Sequence, residues 1–212
     1  IELRQYYSVF EDTDVIAVSA CLENKSPHDA SIRSMASCQL DTDGHGYEIF
    51  SYTGAWARER YCSRTLLNIG VFEQGTNRGS SSHAVNPFIM LKRPERMGGY
   101  LAFNLVYSGN HKECVESTAM HSTRITIGMG DSCLELPLRG GTLFHAPEAV
   151  MLYGETRQDI SLQMHRFVNR HIIRPQFLKD RPVAVNIWEA CRFDFDRDKI
   201  WRFSDCAAAV CA

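Results

Sequence analysis

The sequence predicts a mainly β protein: a large antiparallel sandwich, a helix leading out of it, and one β/α unit at the C-terminal end. Three observations predict this. Up to Tyr153, short β-rich runs alternate with turn clusters at the spacing of an antiparallel sandwich. From Gln158 to Ile173 the hydrophobic period lengthens from that of a strand to that of a helix. Beyond Pro182 an apolar run, a polar aromatic loop and a second helical pattern follow in order.

Composition narrows the function classes. The 212 residues, 44% hydrophobic, suffice for one sizeable core. A formal net charge of -2 with near-equal acids and bases gives no field to hold a nucleic-acid backbone or an anionic membrane, so neither partner is expected. No apolar run approaches the roughly 20 residues of a membrane span, and Ile1-Glu2-Leu3-Arg4 lacks the layout of a signal peptide. The eight cysteines form no C-x-x-C pair. They are expected to be reduced, buried thiols of a cytoplasmic protein.

Each element has its own signal. Tyr7-Ser8-Val9-Phe10 and Asp14 to Val18 read as strands, and Asn24-Lys25-Ser26-Pro27 and Asp41-Thr42-Asp43-Gly44 as turns. Tyr47 to Tyr52 alternates with period two and runs into Thr53-Gly54-Ala55-Trp56, where Gly54 predicts a bend. Thr65 to Glu73 reads as one strand, followed by the small-residue loop Gly75 to His83. Asn86 to Leu91, Tyr100 to Tyr107, Thr123 to Gly128, Leu134 to Leu136, Thr142 to Phe144 and Glu148 to Tyr153 complete roughly a dozen strands, the number of a large sandwich.

The C-terminal part differs. Ile160, Met164, Phe167, Val168 and His171 share one helical face, and Lys179-Asp180-Arg181-Pro182 marks a boundary. Val183 to Val185 has the pattern of a strand buried on both faces, and Ile200, Phe203, Ala207 and Val210 recur at helical spacing behind Asp196. A lone parallel strand with its helix cannot bury itself, because neighbouring crossovers supply its partners. The chain is therefore expected to be a fragment of a longer protein, missing its true start and cut just after a catalytic domain begins.

Few residues stand out chemically. Trp188 lies at the carboxyl end of the predicted strand, the face where barrel active sites gather, and an indole stacks on the apolar face of a sugar. A core Trp under a loop is the equal alternative. Trp56, between Gly54 and Arg58, is a second binding aromatic or a core residue. Glu189, Asp194 and Asp196 suggest paired carboxylates, but acids beside a helix start more often cap backbone N–H groups. Ser82-His83 lacks the third member and the G-x-S-x-G elbow of a hydrolytic triad. Histidines 111, 121, 145, 165 and 171 show no metal-ligand spacing and are expected at the surface or as satisfied core residues.

Five motifs in order carry a resemblance. Gly54-Ala-Trp-Ala-Arg-Glu59, Gly79-Ser-Ser-Ser-His83 with Asn86-Pro-Phe88, Leu105-Val-Tyr-Ser-Gly-Asn110, Pro147-Glu148, and Asn186-Ile-Trp-Glu-Ala190 with Phe193-Asp-Phe195 resemble α-galactosidases of glycoside hydrolase family 36. The resemblance covers nearly the whole chain. It implies a β-supersandwich with linking helix over residues 1–175 and the start of a (β/α)8 catalytic barrel over 176–212. It implies no metal or organic cofactor, a galactose-containing oligosaccharide as substrate, and a homo-oligomer at full length. Trp188 would then be a wall of the galactose pocket and Trp56 would reach it from the sandwich. No catalytic residue falls within the chain, since the family's nucleophile and acid/base are aspartates on later barrel strands, so the chain alone is expected to be inactive. The chain departs from the family pattern at Ile187, where a second asparagine is usual, and at Cys191-Arg192, where Thr-Tyr is commoner. The rival readings are an α-N-acetylgalactosaminidase-like relative of the same architecture and a non-catalytic β-sandwich module for carbohydrate binding or oligomer assembly.

Overall fold

The computed structural model describes residues 1–81, 84–179 and 184–211. They divide into two units, 1–168 and 169–212.

The first unit begins with the hairpin β1 (Glu2–Phe10) and β2 (Val15–Glu23), then β3 (Ala30–Ile32), β4 (Ala36–Asp43), β5 (Tyr47–Ala55) and β6 (Arg58–Leu67). β7 (Gly70–Thr76), β8 (Val85–Lys92), β9 (Tyr100–Val106), β10 (His111–Ser117) and β11 (Ser122–Met129) follow. β12 (Leu136–Leu138), β13 (Leu143–His145), β14 (Glu148–Gly154) and helix α1 (Arg157–Phe167) complete it. An eight-stranded sheet runs β1-β2-β14-β9-β8-β5-β6 with β13 beside β2, and a four-stranded sheet runs β4-β11-β10-β7. Every pairing is antiparallel, including the small β12-β3 ribbon.

The period-two patterns explain the layers. Tyr47 and Ile49 of β5, Ile89 and Leu91 of β8 and Phe103 and Leu105 of β9 turn to one face of the large sheet and meet Val115, Ile125 and Ile127 of the small one. Most of these side chains are fully buried, and each contributes about 1.5–3 kcal/mol by leaving water. The opposite face of the large sheet is also covered. Phe50, Met90, Ala102, Val150 and Leu152 pack under Ile160 and Phe167 of α1. Thr156 starts that helix with a capping box: its Oγ1 accepts from Asp159 N, and the Asp159 carboxylate accepts from Thr156 N at 2.8 Å.

The expected sandwich and linking helix are present, the helix passing at Val168–Ile172 into a π-turn. Two sequence readings change. Thr65 to Glu73 is not one strand: the chain turns at Asn68 and Ile69, Gly70 takes φ 129°, and β6 ends on the large sheet while β7 opens on the small one. Leu66, Leu67, Ile69 and Val71 do not alternate cleanly, and Asn-x-Gly is turn chemistry. β4 and β10 carried no clear signal and are full strands of the small sheet. Asp41 to Asp43, read as a turn, is the end of β4, and the turn itself falls at Gly44.

The second unit contains α2 (Gln176–Lys179), α3 (Trp188–Cys191) and α4 (Arg197–Cys211). The predicted helix behind Asp196 is α4, and the Asp196 carboxylate accepts from Lys199 N at 2.8 Å, the capping role expected of it. The strand expected at Val183 to Val185 is not seen. Val183 lies outside the described residues, and Ala184 and Val185 have no strand structure. A parallel strand exists only through the hydrogen bonds of its neighbours, and the described chain offers it none.

Candidate functional site

Trp56 is held up by the tip of the β5-β6 hairpin. The pairing shifts between Thr53 and Ala55, so the bend expected at Gly54 is a β-bulge. A Cβ on Gly54 would lie 2.3 Å from the Arg58 carbonyl oxygen, which restricts the position to glycine. Ala57 and Arg60 both have positive φ, 58° and 59°, and Ala57 N donates to Glu59 Oε1 at 3.1 Å. The indole is left 76% exposed. It adds nothing to the buried clusters among the described residues.

Beside this hairpin, within the same unit, a cleft of about 410 Å³ opens below α1. Tyr52, Arg60, Asn86, Asn104 and His165 bring polar groups to it, and Phe88 gives it an apolar floor. Tyr52 and Phe88 lie 5.6 Å apart as a tilted aromatic pair. Burial raises the Tyr52 phenol above its ordinary range, so it stays a neutral hydroxyl able to donate. Sequence reasoning missed this cleft because its lining comes from β5, β6, β8, β9 and α1. The available signals were Asn86, inside one of the family motifs, and Arg60, four residues after Trp56.

Trp188 opens the single turn α3. Its backbone N–H donates to Asn186 Oδ1 at 2.9 Å, which starts the turn, and Cys191 Sγ reaches the Ile187 carbonyl at 3.4 Å, which closes it. Phe193 folds back so that its ring meets the indole edge-on. Trp188 remains 47% exposed and contributes to none of the buried clusters among the described residues. A second hollow of about 350 Å³ lies between α3 and α4, lined by Cys191, Asp194, Lys199, Arg202 and Phe203.

Two of the three acids that suggested paired carboxylates, Asp194 and Asp196, have structural partners. Asp194 pairs with Lys199 Nζ at 2.9 Å, which raises the lysine above its ordinary value, and Asp196 caps α4. Trp56 belongs to the first unit and Trp188 to the second. Ser82 and His83 lie outside the described residues. Among the described residues, no group of three or more His, Cys, Asp or Glu is arranged to hold a metal ion. The seven cysteines whose side chains are described are unpaired, but only Cys21 and Cys38 are buried, against the expectation of buried thiols. No described helix is long and apolar enough to cross a membrane.

Comparison with known proteins places these features. Residues 1–139 match the glycosyl hydrolase family 36 N-terminal domain, and residues 143–211 match the melibiase family. Probable alpha-galactosidase G of Emericella nidulans is 36% identical over 209 residues, covering 96% of this chain and 28% of that protein. The crystal structure of the alpha-galactosidase from Lactobacillus brevis superposes with a TM-score of 0.86 at 34% identity, covering 98% of this chain and 28% of the other. An AgaA variant from Geobacillus stearothermophilus, solved in complex with raffinose, gives a TM-score of 0.85 at 30% identity over 98% of this chain and 30% of its own. The chain thus spans little more than a quarter of the length of these relatives. With the family 36 N-terminal match covering most of its sandwich and the melibiase match continuing from there into its helices, the chain belongs to glycoside hydrolase family 36.

Proposed function

We propose that this chain is the N-terminal part of a retaining α-galactosidase that removes terminal α-linked galactose from raffinose- and melibiose-type oligosaccharides. The observation that carries this is the match to an α-galactosidase along 98% of the chain, sandwich and helical segment together. A free-standing carbohydrate-binding or assembly module has no use for the melibiase-like segment at 143–211. Residues 1–175 are assigned to the N-terminal domain with its linking helix, and 176–212 to the start of the barrel.

In a retaining mechanism one carboxylate attacks the anomeric carbon while another protonates the leaving oxygen, and water then hydrolyses the glycosyl-enzyme. Both carboxylates come, in this reading, from barrel strands beyond Ala212. The contribution of this chain is binding: Trp188 as a wall of the galactose pocket, and Trp56 as an aromatic presented by the sandwich. Lateral stacking of an indole on the apolar face of a pyranose needs an exposed ring on a fixed backbone, and both residues meet that condition. The reaction uses no metal or organic cofactor, the full-length protein is a homo-oligomer, and the unpaired thiols suit a cytoplasmic location.

The test is an assay of p-nitrophenyl α-galactoside and raffinose with the full-length protein and with the 212-residue chain. Turnover is expected from the first and not from the second. Preferential hydrolysis of the N-acetylgalactosaminide by the full-length protein, or turnover by the chain alone, refutes the reading.

A further inference from the structure

Strand β10 carries two ionisable side chains into the core. His111 and Glu113 alternate with Lys112 and Cys114, so they leave the strand on the same face as the fully buried Val115. Both side chains are 0% exposed, and His111 Nε2 lies 3.6 Å from Glu113 Oε1. Neither ring nitrogen and neither carboxylate oxygen has a partner at full hydrogen-bonding geometry, although the Gly109 backbone acts on the ring and the Gln74 amide on the carboxylate. Gln74, opposite Glu113 on β7, brings a buried amide beside the carboxylate, and the buried Thr76 stands opposite His111.

The elements around the pair supply no compensating charge. β11 places Ile127 and Met129 beside it, and β8 and β9 present Ile89, Leu91, Phe103 and Leu105 across the core. The charged neighbours Lys112 and Glu73 sit on the opposite, outward face, where Lys112 bridges Glu73 and Asp131 at 3.1 Å each. Glu116 also lies on that outward face of β10. Among the described residues, no other histidine, carboxylate, lysine or arginine is buried.

We propose that His111 and Glu113 form a buried pair that lets β10 pack on the large sheet only while both side chains are uncharged, which makes the sandwich sensitive to pH at this point. At neutral pH the pair is two uncharged groups, a protonated carboxyl beside a neutral imidazole, the form that burial favours for each. Losing a proton leaves a lone carboxylate in an apolar layer, and gaining one leaves a lone imidazolium. Both are costly without water or a counter-charge. The consequence extends to the loop before β8. Asn110, directly before His111, accepts from Gly79 N through Oδ1 at 2.7 Å, and Ser108 O accepts from Ser81 N at 2.8 Å. The backbone of that glycine- and serine-rich loop is anchored on the residues that lead into the pair.

The signs follow from burial. Burial pushes the Glu113 carboxyl up to about 8, with Gln74 opposing the rise, and pushes the His111 imidazole below its ordinary value. Between the usual carboxylate range and about 8 the folded chain keeps a proton that the unfolded chain has released, so stability falls as the pH rises across that window. Below the usual histidine value the unfolded chain binds a proton that the folded one refuses, so stability also falls toward acid.

The experiment compares the melting temperature of this chain and of its Glu113→Gln variant from about pH 6 to about pH 9. The unchanged chain is expected to lose melting temperature toward alkali, and the variant, whose amide cannot ionise, to lose clearly less. Parallel curves overturn the proposal. Should the variant not fold, infrared spectroscopy of the unchanged chain decides. The carbonyl stretch of a protonated carboxyl is expected at neutral pH, disappearing with a midpoint near 8. Its absence at neutral pH, where exposed carboxyls are all ionised, overturns the proposal as well. Neither readout depends on glycosidase activity, so failure here is distinct from failure of the α-galactosidase reading.

Discussion

The ring of Phe193 meets the indole of Trp188 edge to face, with centroids 5.0 Å apart and planes at 88°. Five residues of chain bring the two rings together, so the contact is local and leaves much of the indole uncovered. Edge-to-face pairs contribute about 0.5–1.5 kcal/mol beyond simple burial, enough to fix the orientation of a side chain on a one-turn helix.

A stacking surface should therefore be lost without the fold. In the full-length protein, on the proposed α-galactosidase reading, Trp188→Ala is expected to lower kcat/KM at least about tenfold, about 1.4 kcal/mol of transition-state stabilisation, with little change in melting temperature. Phe193→Ala should act in the same direction but less, because it only positions the indole. Trp56→Ala should resemble a mild Trp188→Ala, since its ring is 76% exposed and its loss uncovers no core. Steady-state kinetics beside thermal melts make the check. A large drop in melting temperature with unchanged kcat/KM would show Trp188 to be structural.

Gly54→Ala tests the hairpin that carries Trp56. A methyl group 2.3 Å from the Arg58 carbonyl cannot be accommodated without opening the bulge. Destabilisation of roughly 1–3 kcal/mol is expected, the usual range for overpacking. Urea unfolding of this chain measures it, and a midpoint within error of the unchanged chain would contradict the bulge geometry.

Asn24→Ala tests the joint between β2 and β12. Asn24 is 0% exposed, and its Nδ2 donates to the carbonyls of His28 at 2.8 Å and Leu138 at 2.9 Å. Removing the amide leaves the Leu138 carbonyl buried without this donor, at a cost of about 1–3 kcal/mol. Asn24→Asp should be worse than Asn24→Ala at neutral pH, because a carboxylate presents only acceptors to two carbonyl oxygens. The reverse order in a melting series would count against the assignment.

Deletion of residues 180–212 addresses the second unit. Phe193, Trp201 and Val210 of that segment are 84%, 57% and 86% exposed, an apolar surface of the kind that drives self-association. The shortened chain is expected to elute from gel filtration as a sharper, more monodisperse peak. An unchanged profile would show that this surface is not what associates.

Much of the sandwich was legible because strand alternation is a local property. Tyr47 to Tyr52 announces which side chains face the core before any partner strand is known, and Gln158 onward announces α1 by the same logic at a longer period. Trp56 and Trp188 stood out as aromatics among turn residues, and the structure leaves both exposed. Two kinds of feature were not. β10 reads as polar because His111 and Glu113 occupy inward positions that a sequence pattern reserves for apolar residues. The cleft of Tyr52, Arg60, Asn86 and Asn104 has no sequence signature because four strands and a helix meet to form it.

The sequence by itself determined that this is an antiparallel sandwich followed by a helix, that Gly54 bends the chain before Trp56, and that Asp196 caps a helix. Each rests on interactions between residues a few positions apart, and such interactions are encoded in order and spacing. Only the tertiary structure decided that the run from Thr65 to Glu73 crosses from one sheet to the other, that Ala184 and Val185 form no strand, and that a histidine and a glutamate share the core. These outcomes depend on which distant strand supplies hydrogen bonds and which side chains exclude water, and neither is a property of any local stretch of sequence.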